Sequence, residues 1–276
     1  MSENTENPVL EVQDLSVRFP RRGGVLGKVQ DYFTAVDGVS FDLPQGKILS
    51  VVGESGCGKT TLVKSLVGLV PVAEGRFRLF GENVTKGRLE PSGRRVSDLV
   101  QMIFQDPYSS LNPRQTVSEI LTVPLLARGV KQVEAEARAK ELLERVSLPA
   151  QSLQKFPHEF SGGQRQRLCI ARSLMVRPKI LLCDEVTSAL DVSVQAQILH
   201  LLDDLRKELD LSIVFISHDM QVVRALSDLV LVMYFGKIVE RGEAKTVLTA
   251  PQHDYTKTLL AAVPTIKRQG IWGVAV

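Results

Sequence analysis

Three short stretches hold residues whose types and spacing can do chemistry. The first is "GESGCGKTT", Gly53 to Thr61. It fits G-x-x-x-x-G-K-[ST] in full, with a strand-like apolar run before it and a helix-like run after it. In such a loop Gly53, Gly56 and Gly58 let the backbone curl so that its N–H groups face phosphates, while Glu54, Ser55 and Cys57 fill the variable positions. Lys59 can reach the outer phosphates, and the Thr60 hydroxyl, followed by Thr61, suits Mg²⁺. The second stretch, "ILLCDE", ends an apolar strand in Asp184 and Glu185. A carboxylate at the C-terminal end of a strand is placed to hold Mg²⁺, and one beside it can orient an attacking water. The third is "HEFSGGQRQRLCIARSL", His158 to Leu174. A serine and two glycines leading into an amphipathic run expose backbone amides at a helix start, where an anion can sit. One small domain rarely needs two cradles for one nucleotide, so the second requires its own explanation.

The elements needed to position these residues are visible in the apolar patterning. "VLEVQDLSVRF" alternates as a strand does and "AVDGVSFDL" does so more loosely, with "PRRGGVLGKVQDY" expected as a long loop between them. "KILSVV" is a strand feeding the phosphate loop, "GRFRLFGENV" a hairpin edge, "KGRLEPSGRR" a polar loop and "LVQMIF" a buried strand. From Pro107 to Leu148 the spacing turns helical, which marks an insertion. Strands return with "KILLCDE" and "LSIVFISH", each after a helix, and "LVLVMYFGKIVERG" reads as a hairpin turning near Gly236. Leu168, Ile170, Ala171 and Leu174 form the apolar stripe of the helix after the second cradle. Alternating strands and helices predict an α/β fold with a mainly parallel core sheet and an antiparallel β subdomain.

Composition narrows the class. The chain has 276 residues, 44% hydrophobic and 24% charged, and its 34 basic and 31 acidic residues leave a net charge of +3. That balance makes nucleic acid an unexpected partner. The N-terminus has neither a basic nor an apolar leader segment, and no apolar run approaches the roughly 18 residues of a spanning helix. Cys57, Cys169 and Cys183 form no CxxC pair, so they read as small buried side chains without disulfide or zinc.

With "FSGGQRQR" before "ILLCDE", and "SALD" and "ISHD" after it, the chain resembles the nucleotide-binding subunit of an ABC (ATP-binding cassette) transporter, a P-loop fold with an inserted helical subdomain. The resemblance implies ATP and Mg²⁺ as ligands, with each ATP sandwiched between two cassettes. Ser161, Gly162, Gly163 and Gln164 would then serve the nucleotide held by a partner, which explains the second cradle. It further implies that Asp184 and Thr60 hold Mg²⁺ and that Glu185 is the catalytic carboxylate. Gln105 in "MIFQDP" would touch Mg²⁺ and the γ-phosphate, His218 in "ISHD" would contact the γ-phosphate, and Asp191 in "SALD" would lie at the cassette interface. Family members stack adenine on an aromatic near the end of the first strand; Phe19 matches, with Tyr32 and Phe33 as alternatives. Val186 stands where the family has proline.

The resemblance also divides the chain into a nucleotide-binding core at 1–104 and 166–250, a helical signature subdomain at 105–165 and a tail at 251–276. "FQDPYSSLNPRQTV", "CDEVTSALDVSVQAQIL" and the tail "HDYTKTLLAAVP" are similar to the ATPases of oligopeptide, dipeptide and nickel importers, with Asp254 in place of the usual proline. That narrower group implies a second cassette of a different paralogue, two membrane permease subunits and an extracytoplasmic solute-binding protein. It places the chain on the cytoplasmic face of the inner membrane. The final "TIKRQGIWGVAV" has no cysteine, so no iron–sulfur cluster is expected. A soluble ABC ATPase acting on nucleic acid or ribosomes, and an exporter ATPase, are the competing readings.

Overall fold

The computed structural model describes residues 8–23 and 28–262. Its elements run β1 (Leu10–Gly23), β2 (Lys28–Leu43), β3 (Ile48–Val52), α1 (Lys59–Leu66), β4 (Glu74–Leu79), β5 (Glu82–Thr85) and β6 (Arg88–Glu90). There follow α2 (Val96–Leu99), β7 (Val100–Ile103), α3 (Pro107–Ser110), α4 (Val117–Leu126), α5 (Gln132–Arg145), α6 (Gly162–Leu174), β8 (Ile180–Asp184) and α7 (Val192–Leu209). The chain continues through β9 (Ser212–Ile216), α8 (Met220–Leu226), β10 (Leu229–Tyr234), β11 (Lys237–Glu243), α9 (Ala244–Thr249) and α10 (Asp254–Ala261). These elements form two units: residues up to 96 together with those from 212, and residues 97–211.

In the first unit β3 is parallel to both β9 and β10, and β11 pairs antiparallel with β10. β3 and β9 are buried along their whole length, as strands covered on both faces must be, and their sequences "ILSVV" and "SIVFI" are nearly unbroken apolar runs. A second, antiparallel sheet has the order β2-β1-β4-β5-β6. Both the mainly parallel core and the antiparallel β subdomain expected from the patterning are therefore present. A cluster of Val52, Val223, Val230, Val232, Val247 and Leu248 is buried between strands and the helices α8 and α9, and Tyr255, Leu259 and Leu260 of α10 pack onto it.

Two stretches depart from the sequence reading. The long loop expected at "PRRGGVLGKVQDY" is largely strand: Pro20 pairs with Tyr32 and Arg21 with Asp31, so β1 and β2 form one extended hairpin. Proline is tolerated there because β4 pairs with β1 only as far as Ser16, leaving the outer part of β1 with a partner on one side. The polar "KGRLEPSGRR" contains the strand β6, whose Leu89 is buried while Arg88 and Glu90 point outward. A three-residue strand leaves almost no periodic signal.

The second unit holds the parallel pair β7–β8 and the helices of the expected insertion. α4 begins with a capping box, Thr116 and Glu119 each bonding the other's backbone amide, which satisfies two N–H groups that would otherwise be orphaned. α5 presents Ala135, Ala139, Leu142 and Leu143 inward at helical spacing. Burial pushes the Cys169 thiol up to about 11 and the Cys183 thiol up to about 12, so both stay protonated and inert, as small core residues do. Among the described residues, no helix is long and apolar enough to cross a membrane.

Leu142→Ala, which opens a cavity at a fully buried side chain on the inner face of α5, is expected to lower stability by about 2–5 kcal/mol. A urea denaturation midpoint indistinguishable from that of the parent chain would show that α5 is not part of the core.

Candidate functional site

The phosphate loop is made of backbone in conformations that glycine tolerates best. Gly53, Gly56 and Gly58 have φ of 148°, 81° and 109°. At two of these positions space decides the matter as well. A Cβ on Gly53 would lie 2.2 Å from the Met233 carbonyl oxygen, and one on Gly58 would lie 2.2 Å from that of Ala35. The chain presses the loop against the end of β10 on one side and against β2 on the other. The β2 contact falls where the β1–β2 register shifts, between the pairs Val17–Val36 and Arg18–Thr34, which leaves Ala35 as an extra residue. The Gly236 amide, in the β10–β11 turn, donates to the Cys57 carbonyl at 2.9 Å.

Lys59 opens α1 and is only 4% exposed. Its ammonium donates to the carbonyls of Gly53 and Glu54, at 2.8 Å each, so the cation is held over the loop. No side chain caps α1, which leaves its first turn to backbone chemistry. A cradle that a Cβ would fill, a buried cation and an uncapped helix start together fit a polyphosphate. His218 follows β9, and β3 and β9 are in parallel register through the pair Val51–Ile216. His218 and Gly53 each lie two residues beyond that pair, so both follow the same end of adjacent parallel strands. Asp219 caps α8 and accepts from the Gln221 amide at 2.8 Å, which fixes the backbone beside His218.

Phe19 and Phe33 are direct cross-strand partners, and Tyr32 lies beside them opposite Pro20. All three are exposed, so the hairpin carries an aromatic group available for stacking, with the Arg21 guanidinium 5.4 Å from the Phe33 ring centre.

The second unit contains the carboxylates. β8 ends at Asp184, 3% exposed, and the next residue, Glu185, adopts a left-handed φ of 46°. A non-glycine residue in that region carries a cost of order 1–3 kcal/mol, a frequent mark of a functional position. Parallel pairing of Ile103 with Cys183 puts residue 105 level with residue 185. Accordingly the Gln105 amide donates to the Glu185 carboxylate at 3.0 Å. Among the described residues, no group of three or more His, Cys, Asp or Glu side chains is arranged to hold a metal. Mg²⁺ needs no such group, because it keeps several waters and binds largely through substrate phosphates with one or two protein oxygens.

The second cradle is built differently. Ser161 caps α6: its hydroxyl accepts from the Gln164 amide at 3.4 Å, and the Gln164 side chain accepts from the Ser161 amide at 3.0 Å. Gly163 is required by packing, since a Cβ there would lie 2.4 Å from a Val194 methyl, whereas Gly162 has ordinary clearance. Val194 belongs to α7, whose cap is Asp191, accepting from the Val194 amide at 2.9 Å and the Ser193 hydroxyl at 2.8 Å. These bonds, that from the Val194 amide first, hold the Asp191 carboxyl below the usual carboxylate range. Arg165 stacks 4.1 Å from the Tyr108 ring centre, tying the start of α6 to α3. Leu168, Ile170, Ala171 and Leu174 are all buried, as their stripe requires.

Lys59, Thr60 and His218 thus belong to one unit, and Gln105, Ser161 to Gln164, Asp184, Glu185 and Asp191 to the other. Sequence reasoning missed Val194, Tyr108 and Tyr255, whose hydroxyl bonds the loop at Glu54. Each meets its partner only through tertiary packing, without a local signal.

A protein-family model described as "ABC transporter" matches residues 36–188. The glutathione import ATP-binding protein GsiA of Escherichia coli (strain K12) is 48% identical over 261 residues, covering 93% of this chain and 41% of that protein. GsiA of Pectobacterium atrosepticum is 48% identical over 260 residues with the same coverage. The chain therefore spans about two fifths of the length of these curated relatives. Among solved structures, cbiO1 from Clostridium perfringens, part of the ABC transporter complex cbiONQ, superposes with a TM-score of 0.74. The identity is 26%, over 89% of this chain and 92% of that one. The dimeric, post-hydrolysis cassette MJ0796 bound to ADP and Pi shares the fold, with a TM-score of 0.71 at 24% identity over 85% of this chain and 98% of that one.

Gly163→Ala is expected to cost about 1–3 kcal/mol through overpacking against Val194, and Val194→Ala in the same chain should restore most of it. Thermal melting of the two single variants and the double variant checks this. Additive losses would break the assignment.

Proposed function

The chain belongs to the ABC transporter family, and from that premise we propose that it powers import of a peptide-like solute as one of two paired ATP-binding cassettes. As an ABC cassette it is an ATPase that binds ATP with Mg²⁺. The import reading rests on one observation above the others: 48% identity over 93% of the chain to proteins named for glutathione import. Glutathione is itself a small peptide, and the "HDYTKTLLAAVP" tail independently resembles peptide-importer ATPases. The proposed assembly contains a second cassette of a different paralogue, two permease subunits and an extracytoplasmic binding protein, on the cytoplasmic face of the inner membrane.

Within that reading each residue has a distinct task. The amides of Gly53 to Thr61 and the Lys59 ammonium bind the phosphates, while Thr60 and Asp184 hold Mg²⁺ with help from Gln105. Bound Mg²⁺ offsets negative charge on the phosphates. Glu185 orients the attacking water and accepts its proton, and the Gln105 amide, a donor to the carboxylate, aims it. His218 contacts the γ-phosphate, and an aromatic of the hairpin, Phe19 with Phe33 and Tyr32 beside it, stacks on adenine. Ser161, Gly162, Gly163 and Gln164 face the nucleotide of the partner cassette, and Asp191 lies near that contact. ATP favours the closed pair because it is bound better there than in the open one, and this differential affinity is what can drive attached subunits.

Glu185→Gln keeps the shape and the left-handed position but removes the base. Phosphate release from the assembled transporter should fall about 100-fold or more, with ATP affinity within about threefold of the parent. Near-parental release would remove Glu185 from the reaction.

A further inference from the structure

The C-terminal helix α10 touches the phosphate loop. α10 is tied down by Glu240 of β11, whose two carboxylate oxygens accept from the Gln252 amide at 2.7 Å and the His253 amide at 3.1 Å. His253 then caps the helix, its Nδ1 accepting from the Tyr255 amide at 3.1 Å. Leu259 and Leu260 pack onto the apolar cluster under α8 and α9, and the Tyr255 ring packs on the Tyr234 ring with centres 4.1 Å apart. This leaves the Tyr255 hydroxyl at the phosphate loop, where it accepts from the Glu54 amide at 3.0 Å.

Glu54 is the residue where that contact matters. Its carbonyl accepts from the Lys59 ammonium at 2.8 Å and from the Cys57 amide at 3.3 Å. The main chain of one loop residue is therefore bonded on its N–H side to the tail and on its carbonyl side to the cation of the loop. Gly53, immediately before it, lies so near the end of β10 that a Cβ there would fall 2.2 Å from the Met233 carbonyl oxygen. Burial raises the Tyr255 pKa, which keeps the phenol neutral and able to accept the amide bond across the physiological range.

We propose that Tyr255 is a positioning residue for nucleotide binding, holding the Glu54 backbone so that Lys59 and the loop amides face the phosphates. It acts through the loop and does not touch the reacting atoms. The proposal rests on the ATP-binding reading above and adds a role for the C-terminal helix, which becomes part of the wall of the phosphate site.

Equilibrium binding of fluorescent ATP and ADP analogues to the full chain tests this, with ATP turnover measured alongside. Tyr255→Phe removes only the hydroxyl and keeps the ring on Tyr234. It should weaken both nucleotides about 3- to 10-fold and raise KM similarly, while kcat at saturation stays within about twofold and the melting temperature is retained. Leu259→Ala, which loosens α10 but leaves the hydroxyl, should lower the melting temperature with little change in affinity. Unchanged affinity in Tyr255→Phe, beside tight binding by the parent chain, overturns this inference alone. So does an equal loss in Leu259→Ala, because it would trace the effect to general loosening. A parent chain that binds neither analogue overturns the ATP-binding reading and this inference together.

Discussion

The phosphate loop depends on close approach of backbone to backbone. Gly53 lies against the Met233 carbonyl and Gly58 against the Ala35 carbonyl, each at a distance that excludes any side chain. Since β10, β3 and β9 are parallel and share a register, the end of β10 and the start of the loop are fixed by the same ladder of hydrogen bonds. The register shifts at Ala35, whose carbonyl lies against Gly58, and the Phe19–Phe33 part of the hairpin continues from it. A cradle for phosphate thus follows from sheet geometry with little contribution from side chains. Lys59 is the exception, and even its ammonium is held by loop carbonyls.

The second unit solves a different problem with the same device. Its chemical residues are carboxylates and amides that need orientation, and the parallel strands β7 and β8, with Ile103 opposite Cys183, end within one residue of the same level. Gln105 meets Glu185 for that reason, although 80 residues separate them along the chain. Around α6 the orientation comes from capping. Ser161 and Gln164 hold the helix start, Gly163 lets α7 come close through Val194, and Asp191 caps α7 in turn. The two caps are thus joined through one packing contact, that of Gly163 with Val194.

Most of this chemistry was legible in the sequence because it resides in short local patterns. A loop of three glycines before Lys59, an acidic pair ending an apolar strand, and a serine–glycine–glycine helix start all state their backbone requirements within about ten residues. The parallel core was legible for the same reason, as unbroken apolar runs alternating with helices. Lost were features decided by partners far away. Only the outer part of the β1–β2 hairpin, within "PRRGGVLGKVQDY", reads as a loop, because Pro20, Gly23 and the basic residues are loop-like in composition; pairing of Pro20 with Tyr32 and Arg21 with Asp31 makes it strand. The reason for Gly163 lay in Val194, and the reason for Tyr255 lay in Glu54, 201 residues away.

The second cradle now has a more specific chemical character than a phosphate site. In the capping box Ser161 uses an acceptor lone pair for the Gln164 amide, and that bond leaves the hydroxyl proton uncommitted. The same hydroxyl can therefore close the helix start and still donate to an anion. Gln164, by contrast, spends its side-chain oxygen on the Ser161 amide, which fixes its amide nitrogen as the end facing away from that bond. Both side chains are exposed, and both hold a set direction because the cap holds them. A helix start whose donors are oriented by their own cap, and whose second glycine is already filled by Val194, can meet an incoming phosphate with little ordering cost. Such preorganisation is what the role proposed for this segment, facing the nucleotide of a partner cassette, would require.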